Sequence, residues 1–325
     1  MKGKGPAFLD LDYPGLQFIL LDDRSTDATR SLLEQAARGD SRVRVVGIDA
    51  LPSGWLGKNH ALNMAANLCA TDLLLFADID AEISSDFLKR AVRLLEKDRL
   101  DYLTAMAQLK SSSIIALPVL GSFAFGFMLA LKPWLGKNPR SDKATGIGAF
   151  GLVRRSAYLA SGGHEPIRLR PDDDLRIAKL LKKRGFKVDC VWGWPGVRVD
   201  WYESIWAMAR GLEKNTFAAF EYSLVQVVVG LVSQIGVLLL PYILLLTCSG
   251  LSRAFAALSV LALSTAYLSV AVPGGFPVWT ALCLPFAAAS TFFIFTRAVV
   301  LTLWNQGIYW RDSFYSLKEL KKNQD

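Results

Sequence analysis

Three stretches without a charged side chain, residues 224–248, 254–272 and 276–296, follow one another in the last third of this 325-residue chain. Crossing a bilayer's hydrocarbon core takes about 20 apolar residues in helical form. A buried helix of that length in a soluble protein normally keeps a polar face. The stretches are therefore expected to be three membrane-crossing helices, and what precedes them must fold by different rules. The expected organisation is a first domain at 1–220, a transmembrane region at 221–305 and a basic tail at 306–325, with Trp310-Arg311-Asp312 at the membrane interface. The net charge of +8 comes largely from Arg154 and Arg155, Lys182-Lys183-Arg184, and Lys318, Lys321 and Lys322. No nucleic-acid motif accompanies these clusters, and attraction to an anionic membrane leaflet accounts for them. The four cysteines form no CxxC pair and two sit in the apolar stretches, which points to reduced thiols and a first domain in a reducing compartment. Residues 1–12 hold no apolar run of the length a signal peptide requires.

The first domain reads as alternating strands and helices. Residues 17–21 (Gln-Phe-Ile-Leu-Leu) form a buried-strand pattern, and the apolar spacing of Ala28, Leu32, Leu33 and Ala36 predicts a helix capped by Ser25 or Thr26. Strands are expected at 43–48, 72–77 and 102–107, and helices at 58–69 and 84–95. That alternation predicts an α/β fold with a mostly parallel sheet and helices on both faces. Ligands of such sheets gather beyond the carboxyl ends of the strands, which places Asp22, Asp23, Asp78 and Asp80 around one crevice. Residues 114–131 are apolar but contain Pro118, Gly121 and Gly126, and a full crossing there would separate segments that must share one side of the membrane. They are read as a helix lying in the interface or buried under the domain.

Four polar motifs carry chemistry. Asp78-Ile79-Asp80 follows the apolar run 73–77; carboxylates two residues apart suit a divalent cation such as Mg²⁺ or Mn²⁺, which would neutralise a diphosphate leaving group. Asp22-Asp23-Arg24-Ser25-Thr26-Asp27 offers acceptors to a nucleobase and ribose, or alternatively a helix N-terminus favouring acidic and hydroxyl residues. In Gly54-Trp55-Leu56-Gly57-Lys58-Asn59-His60-Ala61-Leu62-Asn63, Lys58 opens a helix beside the crevice and suits a phosphate or base contact. Asp172-Asp173-Asp174 precedes a helix; mutual repulsion raises carboxyl pKa values toward the range of a general base, and a plain acidic helix start is the competing reading.

Taken in order, Leu-Asp-Tyr-Pro at 11–14, Asp-Asp-x-Ser-Thr-Asp at 22–27, Gly-Lys-x-x-Ala-Leu-Asn at 57–63, Asp-x-Asp at 78–80 and the acidic pair before a helix ending Lys-Lys-Arg-Gly at 182–185 resemble glycosyltransferase family 2 over about residues 9–220. The resemblance implies a GT-A fold and inverting transfer of a sugar from a nucleotide-sugar donor. By the same resemblance Asp22 and Asp23 bind the nucleotide, Asp78 and Asp80 the metal and diphosphate, and Asp174 is the base, with Asp173 as the alternative. Gly146, Gly148 and Gly151, then Gly162-Gly163-His164-Glu165, look like the family's acceptor wall, where His164 touches the acceptor or makes a structural hydrogen bond. Arg210 and Lys214, four apart on a helical stretch, share a face and either clasp phosphates or form a basic membrane-surface edge. The Gln-x-x-Arg-Trp motif of processive members is absent.

A membrane anchor beside an acceptor wall favours a membrane-borne lipid acceptor, as in the similar carotenoid- and hopanoid-associated transferases, with the catalytic domain on the cytoplasmic side of a multi-pass cell-membrane protein. A polysaccharide-initiating or extending transferase and a non-catalytic membrane subunit are the alternatives. Two features depart from the family pattern. The family places a strand and a helix before the Tyr-Pro segment, whereas this chain begins at or after that point and is read as N-terminally short. Three crossings would also carry the basic tail to the side opposite the catalytic domain, against the positive-inside tendency.

Overall fold

The computed structural model describes residues 7–310 and 313–321. In chain order the elements are β1 (Phe18–Asp23), α1 (Thr29–Ala37), β2 (Val43–Ile48), α2 (Gly57–Leu68), β3 (Leu73–Phe76), β4 (Ala81–Ile83), α3 (Ser85–Lys97) and β5 (Tyr102–Met106). A short β6 (Gln108–Lys110) and the long α4 (Ala116–Leu131) follow, then β7 (Gly151–Arg154), α5 (Arg155–Ala160), α6 (Asp173–Lys183), β8 (Val188–Trp192) and β9 (Val197–Asp200). The remainder comprises α7 (Ile205–Ala219), α8 (Leu224–Leu238), α9 (Leu240–Thr247), α10 (Gly250–Ala271), α11 (Leu284–Trp304), the hairpin β10 (Gly307–Trp310) and β11 (Ser313–Ser316), and α12 (Leu317–Lys321).

The chain divides into two compact units, one of Met1–Ala107 with Pro133–Val199, the other of Gln108–Lys132 with Asp200–Asp325. Residues 108–132 and 200–220, placed in the first domain from sequence, thus group with the second unit. In the first unit β1 and β2 pair in parallel, and a second sheet runs β3-β7-β5-β8. β5 and β8 are parallel, but β7 is antiparallel to both β3 and β5. β3, β5 and β8 thus run the same way and β7 alone runs against them, so the mostly parallel sheet expected carries one reversed strand. β7 is a four-residue strand that follows the Gly146–Gly148 turn and runs directly into α5, and its reversed insertion comes from long-range pairing that local periodicity does not encode. Strand and helix positions otherwise lie within about two residues of those expected. The predicted cap of α1 is also corrected: neither Ser25 nor Thr26 serves, and the Asp27 carboxylate accepts the Thr29 N–H at 2.9 Å.

α6 carries the unit's most informative packing. Ile177, Ala178 and Leu181 face a core that includes Leu74, Tyr102, Val153, Tyr158 and Val188, with Ala178 and Leu181 wholly buried. Full burial of a leucine is worth about 1.5–3 kcal/mol, so this face fixes the rotation of α6 and with it the direction in which the helix presents its first residues, Asp173 and Asp174.

In the second unit the expected segment 224–248 is not one helix. It breaks between α8 and α9 at Leu239, where Pro241 in the first turn of α9 has no N–H to continue the ladder. α7 and α8 meet at 119°, and Glu221 and Tyr222 both take φ of 50° in the turn between them. Three described helical stretches have the length and apolarity to cross a membrane: Ala116–Leu135, Gly250–Ala271 and Val278–Trp304. The first, the stretch expected to lie in the interface or be buried, has 56% of its apolar window buried and packs on α10 and α11. Tyr267 of α10 lies so close to Gly121 of α4 that any side chain there would meet the tyrosine oxygen. At the other end of the bundle Phe217, Tyr222, Val227 and Val299 form one cluster with Ile308, Leu317 and Leu320, which ties the tail to the α7–α8 turn and the end of α11. Arg311, Asp312, Lys322 and the Trp310 side chain, expected at the interface or in the basic tail, lie outside the described residues.

Candidate active site

The carboxyl end of β3 delivers Asp78, whose backbone N–H donates to the Gly148 carbonyl at 2.8 Å just before β7. The Gly148 N–H in turn donates to the Asp174 carboxylate at 2.7 Å. One glycine thus fastens together the two segments that carry the predicted metal ligand and the predicted base. A Cβ on Gly148 would stand 2.4 Å from an Asp78 carboxylate oxygen, and one on Gly146 would stand 1.8 Å from the Asp174 carbonyl. Glycine is needed at both positions for this close approach. These glycines belong to the stretch read from sequence as an acceptor wall; in the structure Gly148 makes room for the Asp78 carboxylate and Gly146 for the Asp174 backbone carbonyl. Thr104 holds the same turn, its Oγ1 accepting from the Ile147 N–H and donating to the Phe150 carbonyl.

Lys58 enters from the first turn of α2. Its ammonium lies 3.0 Å from Asp78 and 3.3 Å from Asp173. Burial works against the charged amine, but the carboxylates of Asp173, Asp78 and Asp174 outweigh it and hold the Lys58 pKa above that of an ordinary lysine. The three consecutive aspartates have three separate fates. Asp172 is bonded by Arg170 (2.9 and 3.1 Å) and Arg176 (2.8 Å), so both its oxygens are committed to the scaffold. Asp173 faces Lys58, and burial raises its carboxyl pKa against that cation. Asp174 accepts from the backbone of Gly148 and Leu175, while burial and then the Asp173 charge push its carboxyl up to about 7. Cause and value both fit a group that exchanges a proton near neutrality.

The loop before this triplet is held by Asn59. Its wholly buried side-chain amide reaches the carbonyls of Ile167 and Arg170 at 2.9 Å each, and that of Arg168 at 3.2 Å. Asn59, Arg170 and Arg176 are supporting residues that the motif reading passed over, although Asn59 stands inside the Gly-Lys-x-x-Ala-Leu-Asn segment. At the end of β1, Asp22 is buried and one of its carboxylate oxygens has no hydrogen-bond partner. An acceptor kept dry and unsatisfied is costly unless a ligand supplies the donor. Asp23 pairs with Arg24, and its carboxylate sits where a Cβ of Gly57 would be, which brings the end of β1 against the start of α2.

A divalent cation fits Asp78 and Asp80 as a shared site with a substrate. Asp80 is solvent-exposed on one side, yet partial burial and then the neighbouring Asp78 charge hold its carboxyl above the usual range, a crowding that a cation between them would relieve. Among the described residues no group of three His, Cys, Asp or Glu side chains is placed to hold a metal by itself. Mg²⁺ commonly takes one or two carboxylates and completes its shell with phosphate oxygens and water.

His164 lines the cavity that Lys58, Asp78, Asp173 and Asp174 also line. It is buried, its Nδ1 lies 2.7 Å from the Tyr158 hydroxyl, and its ring packs edge-on to Phe76. Burial, with a smaller push from Lys58, lowers its pKa to about 3, so the ring is neutral at physiological pH. Arg210 and Lys214 belong to α7 in the second unit.

The first unit thus gathers carboxylates at strand and helix ends around a lysine. Residues 7–115 match the family model described as glycosyl transferase family 2. Beta-monoglucosyldiacylglycerol synthase of Nostoc sp. is 25% identical over 224 residues, covering 66% of this chain and 44% of the relative. The protein of the same name from Synechocystis sp. is 37% identical over 84 residues, 25% of this chain and 17% of that one. The chain thus spans under half the length of the curated relatives it matches. Among solved structures, S. aureus TarS 1-349 in complex with UDP aligns over 94% of this chain and 87% of its own at 15% identity and a TM-score of 0.43.

Proposed function

We propose that the protein transfers one sugar from a nucleoside-diphosphate donor to a membrane-borne lipid acceptor, by single displacement with inversion. The observation that carries this reading is the convergence of Asp78, Lys58, Asp173 and Asp174 on one glycine turn, with Asp174 raised to about 7. Asp22 and Asp23 take the nucleoside, where the unpartnered Asp22 oxygen accepts a base or ribose donor. Asp174 accepts the proton of the acceptor hydroxyl as that oxygen bonds to the anomeric carbon, and the bond to the diphosphate breaks on the opposite side. Lys58 lies within reach of the departing negative charge. A divalent cation bound with Asp78 and Asp80 supplies further neutralisation of the diphosphate. Asp173 keeps Lys58 in place and stands as the alternative base. His164, neutral and bonded to Tyr158, shapes the cavity wall. The lipid acceptor draws support from a relative named for diacylglycerol glucosylation and from the apolar second unit.

The same reading places the second unit in the cell membrane with an even number of crossings. The tail packs against the α7–α8 turn, so the chain from 224 to 304 leaves and returns on one side. α8 and α9, broken at Leu239, form a re-entrant pair, and α10 and α11 cross. Lys318 and Lys321 then lie on the same side of the membrane as the α7–α8 turn, which the positive-inside tendency makes the cytoplasmic one.

Nucleotide binding tests the donor site. Calorimetry on detergent-solubilised protein is expected to show UDP or GDP binding that tightens at least tenfold with Mn²⁺ or Mg²⁺, and Asp78→Asn together with Asp80→Asn is expected to remove the metal effect. Binding by a folded protein that is indifferent to metal would reject the metal role of these two carboxylates.

A further inference from the structure

Within the second unit, Arg297 closes the uncharged run 276–296 but lies inside α11, which continues through the apolar residues Ala298–Trp304 and packs on α7. Its Nη1 donates to the Glu213 carboxylate at 2.8 Å, and its guanidinium carbon lies 4.8 Å from the centroid of the Trp206 ring. Trp206, Arg210 and Glu213 occupy one face of α7 at spacings of four and three residues. Trp206 is 51% exposed, and the Arg297 side chain keeps 20% of its surface accessible. Among the described residues Arg297 makes this one ion pair, through Nη1, and Arg210 is exposed and makes none. With Arg210 and Arg297 against Glu213, the cluster is net positive.

A guanidinium on an apolar, membrane-facing helix is costly unless paired, and such a residue is a functional-site candidate. An indole ring belongs at the level of the head groups. The planar fork of arginine matches phosphate oxygens, with one edge already oriented by Glu213 and the ring beneath. We propose that Trp206, Arg210 and Arg297 form a binding site for the phosphate of a membrane lipid, seated at the head-group level of the second unit. The site rests on the reading of that unit as membrane-embedded and deepens it by naming the lipid chemistry held there. Glu213 orients Arg297 and competes with the phosphate for it.

Native mass spectrometry of the full chain in detergent tests this, with phosphatidylglycerol as a bulk lipid, undecaprenyl phosphate as an acceptor-type lipid and diacylglycerol as a phosphate-free control. Phosphate lipids are expected to form adducts at concentrations about tenfold below diacylglycerol. Arg297→Gln and Arg210→Gln should each erase about that preference, while Glu213→Gln keeps or tightens it. A preference shared by both phosphate lipids assigns a bulk-lipid site, and one confined to undecaprenyl phosphate assigns an acceptor site. If Arg297→Gln does not fold, Arg210→Gln and Glu213→Gln decide. Equal adducts in every variant, with melting lowered alike by Arg297→Gln and Glu213→Gln, would mean the pair is structural and overturn the site. Protein that needs no detergent would overturn the membrane reading itself, an outcome separate from detergent-dependent protein with unchanged lipid binding.

Discussion

Asp174→Asn is expected to lower kcat for sugar transfer by about a hundred- to ten-thousandfold, the range that positioned general-base catalysis supplies. The amide keeps the shape of the carboxylate and can accept the Gly148 N–H, but it cannot take a proton from the acceptor. Folding should survive. A carboxyl raised on folding is one whose charged form the fold disfavours, so above about pH 7 a neutral side chain at 174 relieves a cost. The wild-type rate is expected to rise about tenfold per pH unit up to about 7 and then level, because the base must be ionised to act. The residual rate of the variant should be flat over the same range. A melting curve measured beside the pH–rate profile separates loss of base from loss of fold. Should Asp173→Asn abolish the rise while Asp174→Asn preserves it, the two roles exchange.

The second large effect is expected at Lys58. Lys58→Met removes the cation between Asp78 and Asp173 and leaves carboxylates facing one another. Breaking a buried ion pair from one side costs about 3–5 kcal/mol, and the 31% exposure of the Lys58 side chain moves the figure down to about 2–3 kcal/mol. The sign with pH follows from its raised pKa: the contribution of Lys58 is full below the ordinary lysine value of 10.5 and is lost only above its folded value. At the acid end the gap between variant and wild type should close as Asp174, raised to about 7, and the likewise raised Asp173 take up protons. Chemical denaturation at pH 4, 7 and 9 reads this directly. The variant should also lose at least tenfold in nucleotide-sugar turnover under conditions where it remains folded. A Lys58→Met protein as stable as wild type at pH 7 would show that the lysine is not the counter-ion of this cluster.

Much of this site was legible in the sequence because its parts are local. An acidic pair at a strand end, a lysine opening a helix and an acidic triplet before a helix each announce themselves within ten residues or so. Distances between those parts are another matter. Asp172, Asp173 and Asp174 are equivalent as letters, and only the burial of Arg170 and the placement of Arg176 show that the first is bound up in the scaffold. Gly146 and Gly148 stood out as glycines, but what they approach, the Asp174 carbonyl and the Asp78 carboxylate, is separated from them by 28 and 70 residues. The reversed strand β7 escaped for the same reason, since four residues carry too little pattern to declare their partner. In the second unit Pro241 was visible inside the uncharged run 224–248, yet hydropathy averaged over it, and Arg297 was read as the limit of a segment rather than as a residue with Trp206 and Glu213 around it.

The central claim is that the cluster around Asp78, Lys58 and Asp174 moves a sugar from a nucleoside diphosphate to a lipid. Its most direct measurement is transfer of radiolabelled sugar from a panel of UDP- and GDP-sugars into the lipid phase of membranes containing the full chain, with the anomeric configuration of the product read by NMR. The account predicts organic-soluble product from at least one donor, dependent on Mg²⁺ or Mn²⁺, inverted at the anomeric carbon and lost in Asp174→Asn. A product that retains the donor's configuration, or equal yield from Asp174→Asn, would contradict it.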